Sequence, residues 1–151
     1  MRRRMRQSHD EARLTVVCAV TSEGDLSREC FDLSARFART GDSVKVVHVQ
    51  DIAGTTDVRV VRSYFEGECR KQEEAKPGTS FTYHNIPKKG SVRETLLTKV
   101  EDWLADVLVL GSVELATAKP GVDGAVLGSV SSAVAKKTQC HTLIAKSFKG
   151  V

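Results

Sequence analysis

The chain has 151 residues, of which 40% are hydrophobic and 28% are charged, and its formal net charge is +4. This length suits one well-buried core and is short for two domains. Part of the positive charge lies in the arginine-rich stretch Arg2–Arg6, while acids and bases alternate beyond it. We therefore expect a basic, solvated tail over residues 1–13 and one soluble domain over residues 14–151, with no membrane span and no specific nucleic-acid surface.

The four cysteines are scattered along the chain, with neither a C-x-x-C spacing nor nearby histidines to complete a zinc site; they are Cys18, Cys30, Cys69 and Cys140. This usage favours reduced thiols in a cytoplasmic protein. The first three fall on apolar positions of predicted elements. We expect them to be small core residues and not nucleophiles.

The first half of the chain alternates between strand and helix patterns. Leu14–Val20 is a short apolar run, rich in β-branched residues, which predicts a strand buried on both faces. Asp25 or Ser27 is predicted to cap a helix that ends before Gly41. The predicted inward face of this helix consists of Leu26, Cys30, Leu33 and Phe37. Ser43–Val49 is predicted to be the second strand.

The second half repeats the alternation. A helix is predicted over residues 57–72, with Val58, Val61, Phe65 and Cys69 inward, and Ser80–Tyr83 is predicted to be a short third strand. Ser91 and Glu94 have the spacing of a capping box. The helix that they open is predicted to bury Val92, Leu96, Val100, Trp103 and Leu104.

The chain then continues through a fourth strand over Val107–Leu110, a helix over residues 129–137 and a fifth strand over His141–Ala145. Strands that alternate with helices predict an α/β fold with right-handed crossovers, in which a parallel sheet has helices on both faces. Ligands of such sheets bind outside the carboxyl ends of the strands. The loops after strands one, two and four are therefore the predicted site.

One stretch points to a bound anion. The apolar run Asp106-Val-Leu-Val-Leu-Gly111 stops at a glycine, and a later loop feeds Gly128-Ser129 into a predicted helix. This layout can direct backbone N–H groups and a helix N-terminus at a phosphate. The simpler alternative is a glycine turn followed by an ordinary helix cap.

These residues carry a family resemblance. Ala105–Ser112, Gly128–Ser132 and the strand segment Val46-Val47-His48-Val49 resemble the universal stress protein family, and the likeness extends over about residues 14–146. The resemblance implies an open five-stranded parallel sheet of order 3-2-1-4-5, homodimerisation through the last strand and, in one branch, bound ATP, with Mg²⁺ as a possible companion ion. The nucleotide-binding residues that it implies are Thr21, Val49, Gly111, Ser112, Gly128, Ser129, Val130 and Ser131.

The loop departs from the ATP-binding form Gly-x2-Gly-x9-Gly-[Ser/Thr]. Glu114 stands at the second glycine, sixteen residues separate Gly111 from Gly128, and Thr21 follows strand one where ATP-binding members have an aspartate. Two hypotheses follow. The chain is either an ATP-binding stress-response protein, with at most slow hydrolysis and no identified catalytic residue, or a dimeric regulatory protein that has lost the nucleotide and uses residues 113–127 as an interaction loop.

Overall fold

The computed structural model describes residues 13–50, 56–113 and 140–147. Within these ranges the chain forms five strands and three helices. In chain order they are β1 (Thr15–Val20), α1 (Asp25–Phe37), β2 (Ser43–Gln50), α2 (Val58–Ala75), β3 (Ser80–Pro87), α3 (Val92–Asp102), β4 (Val107–Val113) and β5 (His141–Ser147).

The strands form one parallel sheet of order β3-β2-β1-β4-β5. This arrangement confirms the predicted fold class and strand order. Four strands extend beyond their predicted ends, since β2 continues to Gln50, β3 to Pro87, β4 to Val113 and β5 to Ser147. The helix predicted over residues 129–137 lies outside the described residues.

The helices cover both faces of the sheet, as predicted. Side chains of α1 and α2 pack with one set of strand residues, in a core that includes the neighbouring rings of Phe31, Phe65 and Phe81. Leu96 and Val100 of α3 pack in a second core on the opposite face. Alternation along each buried strand divides its side chains between the two cores.

The predicted face of α1 is partly wrong. Phe31, which the sequence analysis left out, is buried, whereas the predicted core residue Phe37 is 39% exposed at the end of the helix. The predicted cap is also wrong, because the N-cap residue is Gly24 and no side chain caps this end. Ser27 lies inside the helix and is free to bond elsewhere.

The other two helices begin close to where the sequence predicts, each with a side-chain cap. Asp57 caps α2 by accepting a hydrogen bond from the Arg59 backbone N–H, and Ser91 and Glu94 form the predicted capping box of α3. The predicted apolar face of α3 is wrong at both ends, since Val92 is 42% and Leu104 47% exposed. Leu104 has a φ of 51° in the turn that leads into β4.

The amino edge of the sheet is fastened by two buried aspartates. Asp42 accepts hydrogen bonds from the backbone N–H groups of Leu14 at 2.9 Å and Arg39 at 2.8 Å. Asp106 accepts one from the Thr15 N–H at 2.9 Å. These carboxylates tie the starts of β1, β2 and β4 together, because buried N–H groups must find acceptors.

Candidate functional site

The carboxyl edge of the sheet opens between β1 and β4. The ladder between these strands pairs Val16 with Val107 and ends at the pair of Cys18 and Val109, although β1 runs on to Val20 and β4 to Val113. By contrast, β1 pairs with β2 over its full length. The chain builds β1, β2 and β3 in one half of the sheet and then crosses to β4 and β5 in the other half. The gap between the carboxyl ends of β1 and β4 therefore lies at the topological switch point.

Four predicted site residues lie around this opening. Thr21 is exposed directly after β1, and Val49 is half-buried near the end of β2, one residue beyond the pair of Val20 and His48. Gly111 and Ser112 lie in β4, where they pair with Ala145 and Lys146 of β5. The fold therefore brings the predicted ends of three strands to one edge.

The remaining predicted residues are the second half of the phosphate loop. Gly128, Ser129, Val130 and Ser131 lie outside the described residues, as does Glu114. Two cavities lined by described residues lie along α2. One of about 630 Å³ lies along the first turns of α2, beside Asp57 and Tyr64.

Ser27 organises the turn after β1. Its buried hydroxyl oxygen accepts hydrogen bonds from the backbone N–H groups of Thr21 at 2.9 Å and Ser22 at 3.3 Å. It also lies 3.5 Å from the Thr21 hydroxyl oxygen. The sequence analysis took Ser27 for a helix cap. Its position six residues after Thr21, on the inward side of the next helix, was the signal that it could reach back to the strand end.

Gly111 has a packing role that the sequence analysis did not foresee. A Cβ atom at this position would lie 2.7 Å from Cγ and 2.9 Å from Cδ2 of Leu26, in the first turn of α1. Such distances are too short for carbon atoms in contact. Glycine at the end of β4 is therefore needed for the close approach of α1, whether or not a ligand binds beside it.

A second polar group lies toward the carboxyl ends of β2 and β3. The Nδ1 atom of the buried His48 is 3.0 Å from the Asn85 side-chain oxygen, and the Asn85 amide donates to the Gln50 side-chain oxygen at 2.9 Å. His48 is thus held within the sheet by a neighbour on β3. His48 is therefore a packed strand residue, and its described side-chain partner is an amide and not an acid.

All four cysteines are buried, and the burial of Cys18, Cys30 and Cys69 confirms that they are core residues. Burial raises the pKa of both the Cys30 and Cys69 thiols to about 12, and it raises the pKa of the Cys18 thiol further. These groups stay protonated at neutral pH, and a thiol is a poor nucleophile compared with its thiolate. Among the described residues, no group of three or more histidine, cysteine or acidic side chains is placed to hold a metal ion.

Strand order, crossover positions and the open carboxyl edge define a doubly wound α/β protein of the kind that binds ligands at its switch point. The model of the Universal stress protein family matches residues 13–146, and the chain belongs to that family. A comparison with curated protein sequences gave no match.

Solved structures agree with this assignment at the level of the fold. A universal stress protein from Archaeoglobus fulgidus is 17% identical, with a TM-score of 0.60, covering 88% of this chain and 93% of its own. An Arabidopsis thaliana family protein solved with AMP bound is 15% identical, with a TM-score of 0.58 and coverages of 90% and 93%. A universal stress protein in complex with cAMP is 20% identical, with a TM-score of 0.53 and coverages of 87% and 95%.

In the described part of the chain, no helix is both long and apolar enough to span a membrane.

Proposed function

We propose that this protein binds an adenine nucleotide, with ATP as the leading ligand, at the carboxyl edge of its sheet, and that it acts in the stress response. The observation that carries the proposal is the parting of β1 and β4 at the switch point, with Thr21, Val49 and Gly111 around it. Family members of the same fold that were solved with AMP or cAMP support it.

In this proposal the described residues supply the nucleoside end of the site. The exposed Thr21 hydroxyl is a donor or acceptor for the ribose or base, and the backbone near Val49 faces the adenine. Ser27 fixes the backbone on which Thr21 stands. Ser112, Gly128, Ser129, Val130 and Ser131 are proposed to hold the phosphates, with Mg²⁺ offsetting the carboxylate of Glu114.

The contact of Leu26 with Gly111 favours a second candidate function, that of a regulatory protein without a nucleotide. Because the packing of Leu26 against β4 already requires glycine at position 111, this glycine is no sign of phosphate binding by itself. A regulatory protein that kept the fold and lost the nucleotide would retain it too. Residues 113–127 are then proposed to be its interaction loop.

Isothermal titration of the purified chain with ATP and Mg²⁺ separates the two functions. Binding, together with thermal stabilisation by ATP, supports the first; no heat and no stabilisation at millimolar ATP would reject it. Titrations with AMP and cAMP then show which phosphate arrangement the site accepts.

A matched pair of glycine variants locates the bound nucleotide. Gly128→Val is expected to abolish binding, because a branched side chain would occupy the place proposed for phosphate. Gly67→Val is the control, since a Cβ at position 67 of α2 meets nothing closer than an Arg70 side-chain atom at 3.9 Å. Equal affinity of both variants would put the site elsewhere.

We also propose that the protein is a homodimer joined through β5 and that it is cytoplasmic. The free thiols accord with a reducing compartment. In the described sheet β5 is an edge strand, and its Ile144 side chain is 40% exposed. An apolar edge strand needs cover. Light scattering tests this directly: Ile144→Lys should give a monomeric mass where the unaltered chain gives a dimer, and a monomeric unaltered chain would remove the proposal.

A further inference from the structure

One half of the α3 side of the sheet carries positive charge around a single aromatic ring. Trp103 lies at the C-terminal end of α3, where the Lys45 ammonium is 5.2 Å and the Lys99 ammonium 5.8 Å from its ring centroid. The His84 ring centroid is 4.9 Å from the same ring. Together with Thr82 these residues form what we call the tryptophan cluster.

The tryptophan cluster is formed by residues from several elements of the fold. Lys45 is on β2, Thr82 and His84 are on β3, and Lys99 is on α3, so three elements contribute. The Thr82 hydroxyl is 2.9 Å from His84 Nε2, which fixes the imidazole against the strand. Every member is half-buried, and the lysine stems are therefore more restricted than those of a solvated surface.

The two ammonium groups lack acidic partners. Within residues 13–50, 56–113 and 140–147, neither Lys45 nor Lys99 forms an ion pair, although Glu101 and Asp102 lie at the same end of α3. The positive charge of these lysines acts on His84, because its pKa is lowered mainly by burial and then by Lys45 and Lys99. Among the described residues these two cations have no carboxylate counter-charge, and only the carbonyl end of α3 offsets part of the charge of Lys99.

The chemistry of the surroundings limits what can bind. The ring of Trp103 is already approached by two ammonium groups and an imidazole, which compete with a nucleic-acid base for stacking on it. Trp103 is the C-cap of α3, so the helix presents its carbonyl end here and offers no N–H cradle for phosphate. Carboxylates that meet the ammonium groups singly suit the cluster better.

We propose that the tryptophan cluster is a docking surface for an acidic segment of a partner protein, with Lys45 and Lys99 pairing with its carboxylates. The surface lies on the α3 side of β2 and β3, whereas the proposed nucleotide site lies at the carboxyl edge between β1 and β4. Docking therefore does not depend on nucleotide binding. Partner recognition and nucleotide recognition become separable properties of one domain.

The chain contains one tryptophan, and this makes the test specific. A synthetic peptide of ten glutamates is titrated into the full chain while Trp103 fluorescence is recorded at low and high salt. We expect a saturable change that weakens as salt rises. Lys45→Gln/Lys99→Gln should lower the affinity about tenfold, because two charge pairs at half-buried ammonium groups are lost.

A second variant removes the same charge from another surface. Lys71→Gln/Lys89→Gln should bind the peptide as the unaltered chain does, although the arginine-rich N-terminal stretch contributes to all three affinities. Equal loss in both double variants, or no change in Trp103 emission, would overturn the proposal. Stronger binding of single-stranded oligothymidine than of the peptide would also overturn it, in favour of a nucleic acid.

Discussion

The two edges of the sheet are held in different ways. At the amino edge, the buried carboxylates of Asp42 and Asp106 accept hydrogen bonds from three backbone N–H groups and bind the strand starts together. At the carboxyl edge, the ladder between β1 and β4 ends early, and among the described residues the turn after β1 is held by the neutral hydroxyls of Ser27 and Ser22. We therefore expect the amino edge to contribute more to stability than the described part of the carboxyl edge.

The largest effect is expected from the amino edge. Asp42→Ala removes a buried carboxylate that accepts from the Leu14 and Arg39 N–H groups, and because hydrogen bonds to a charged acceptor are the stronger ones it should lower the free energy of unfolding by about 3 kcal/mol. Urea denaturation measures the change. Asp32→Ala, at an exposed position of α1, is the control and should stay within about 0.5 kcal/mol of the unaltered chain. Equal effects at the two positions would contradict the comparison.

A smaller effect is expected where α1 meets the carboxyl edge. Gly111→Ala introduces a Cβ against Leu26 and should cost about 2 kcal/mol of unfolding free energy, because one of the two elements must shift. The double variant Gly111→Ala/Leu26→Ala should cost less than the sum of its single changes. Strict additivity in this double-mutant cycle would show that Leu26 does not restrict position 111.

Removing the fastening of the carboxyl edge should cost less again. Ser27→Ala is expected to lower the free energy of unfolding by about 1 kcal/mol, since the Thr21 and Ser22 N–H groups are only partly buried and water can replace the hydroxyl. It should also weaken nucleotide binding, if binding is observed. Ser63→Ala, on the exposed side of α2, serves as the control. A loss as large as that of Asp42→Ala would remove the distinction between the edges.

The smallest effect concerns His84, which lies away from both edges. Its pKa is lowered in the folded state, mainly by burial and then by Lys45 and Lys99. The unfolded chain therefore takes up this proton more readily, so the contribution of His84 to stability is present above about pH 6.5 and is lost as the pH falls below it.

For this partly exposed ring we expect a fall in Tm of about 1–2 °C between pH 7 and pH 5.5 attributable to His84. His84→Gln should remove that part of the pH dependence in a calorimetric series. His141→Gln, at an exposed histidine, should leave it unchanged. An unaltered pH dependence in His84→Gln would show that burial and the nearby lysines do not act on this ring.

The fold could be predicted from the sequence because its signals are local. Runs such as Val107–Leu110 and the capping box of Ser91 depend on neighbouring residues, and alternation of strands with helices restricts the topology. The family resemblance supplied the strand order. Phe31 was missed and Phe37 wrongly placed because a helix end that points into solvent has the same spacing as one that points into the core.

Of the candidate site, only the placement of some of its residues at one edge could be compared with the prediction. Thr21, Val49 and Gly111 reach one edge because parallel strands end together. The contact of Leu26 with Gly111 joins positions that are distant in the sequence, and no local pattern indicates it. The bonds of Ser27 to the turn after β1 span only five and six residues, and its position on the inward side of α1 was their signal. Gly111 shows the limit well, because a glycine required by packing and one required by phosphate look the same in a sequence.

Leu104 adopts a backbone conformation that is unfavourable for leucine, so the stability of this chain could be increased at this position. A leucine at a φ of 51° adopts a left-handed backbone that side chains with a Cβ disfavour, and its own side chain is largely exposed. The conformation is set by the bend into β4, where the Ala105 N–H bonds back to the Val100 carbonyl at 2.9 Å. Replacing this one residue with glycine would relieve the strained turn and leave the carboxylate of Asp106, two residues later, unchanged. Leu104→Gly is therefore expected to raise the free energy of unfolding, which would make the protein easier to use in crystallisation and binding assays.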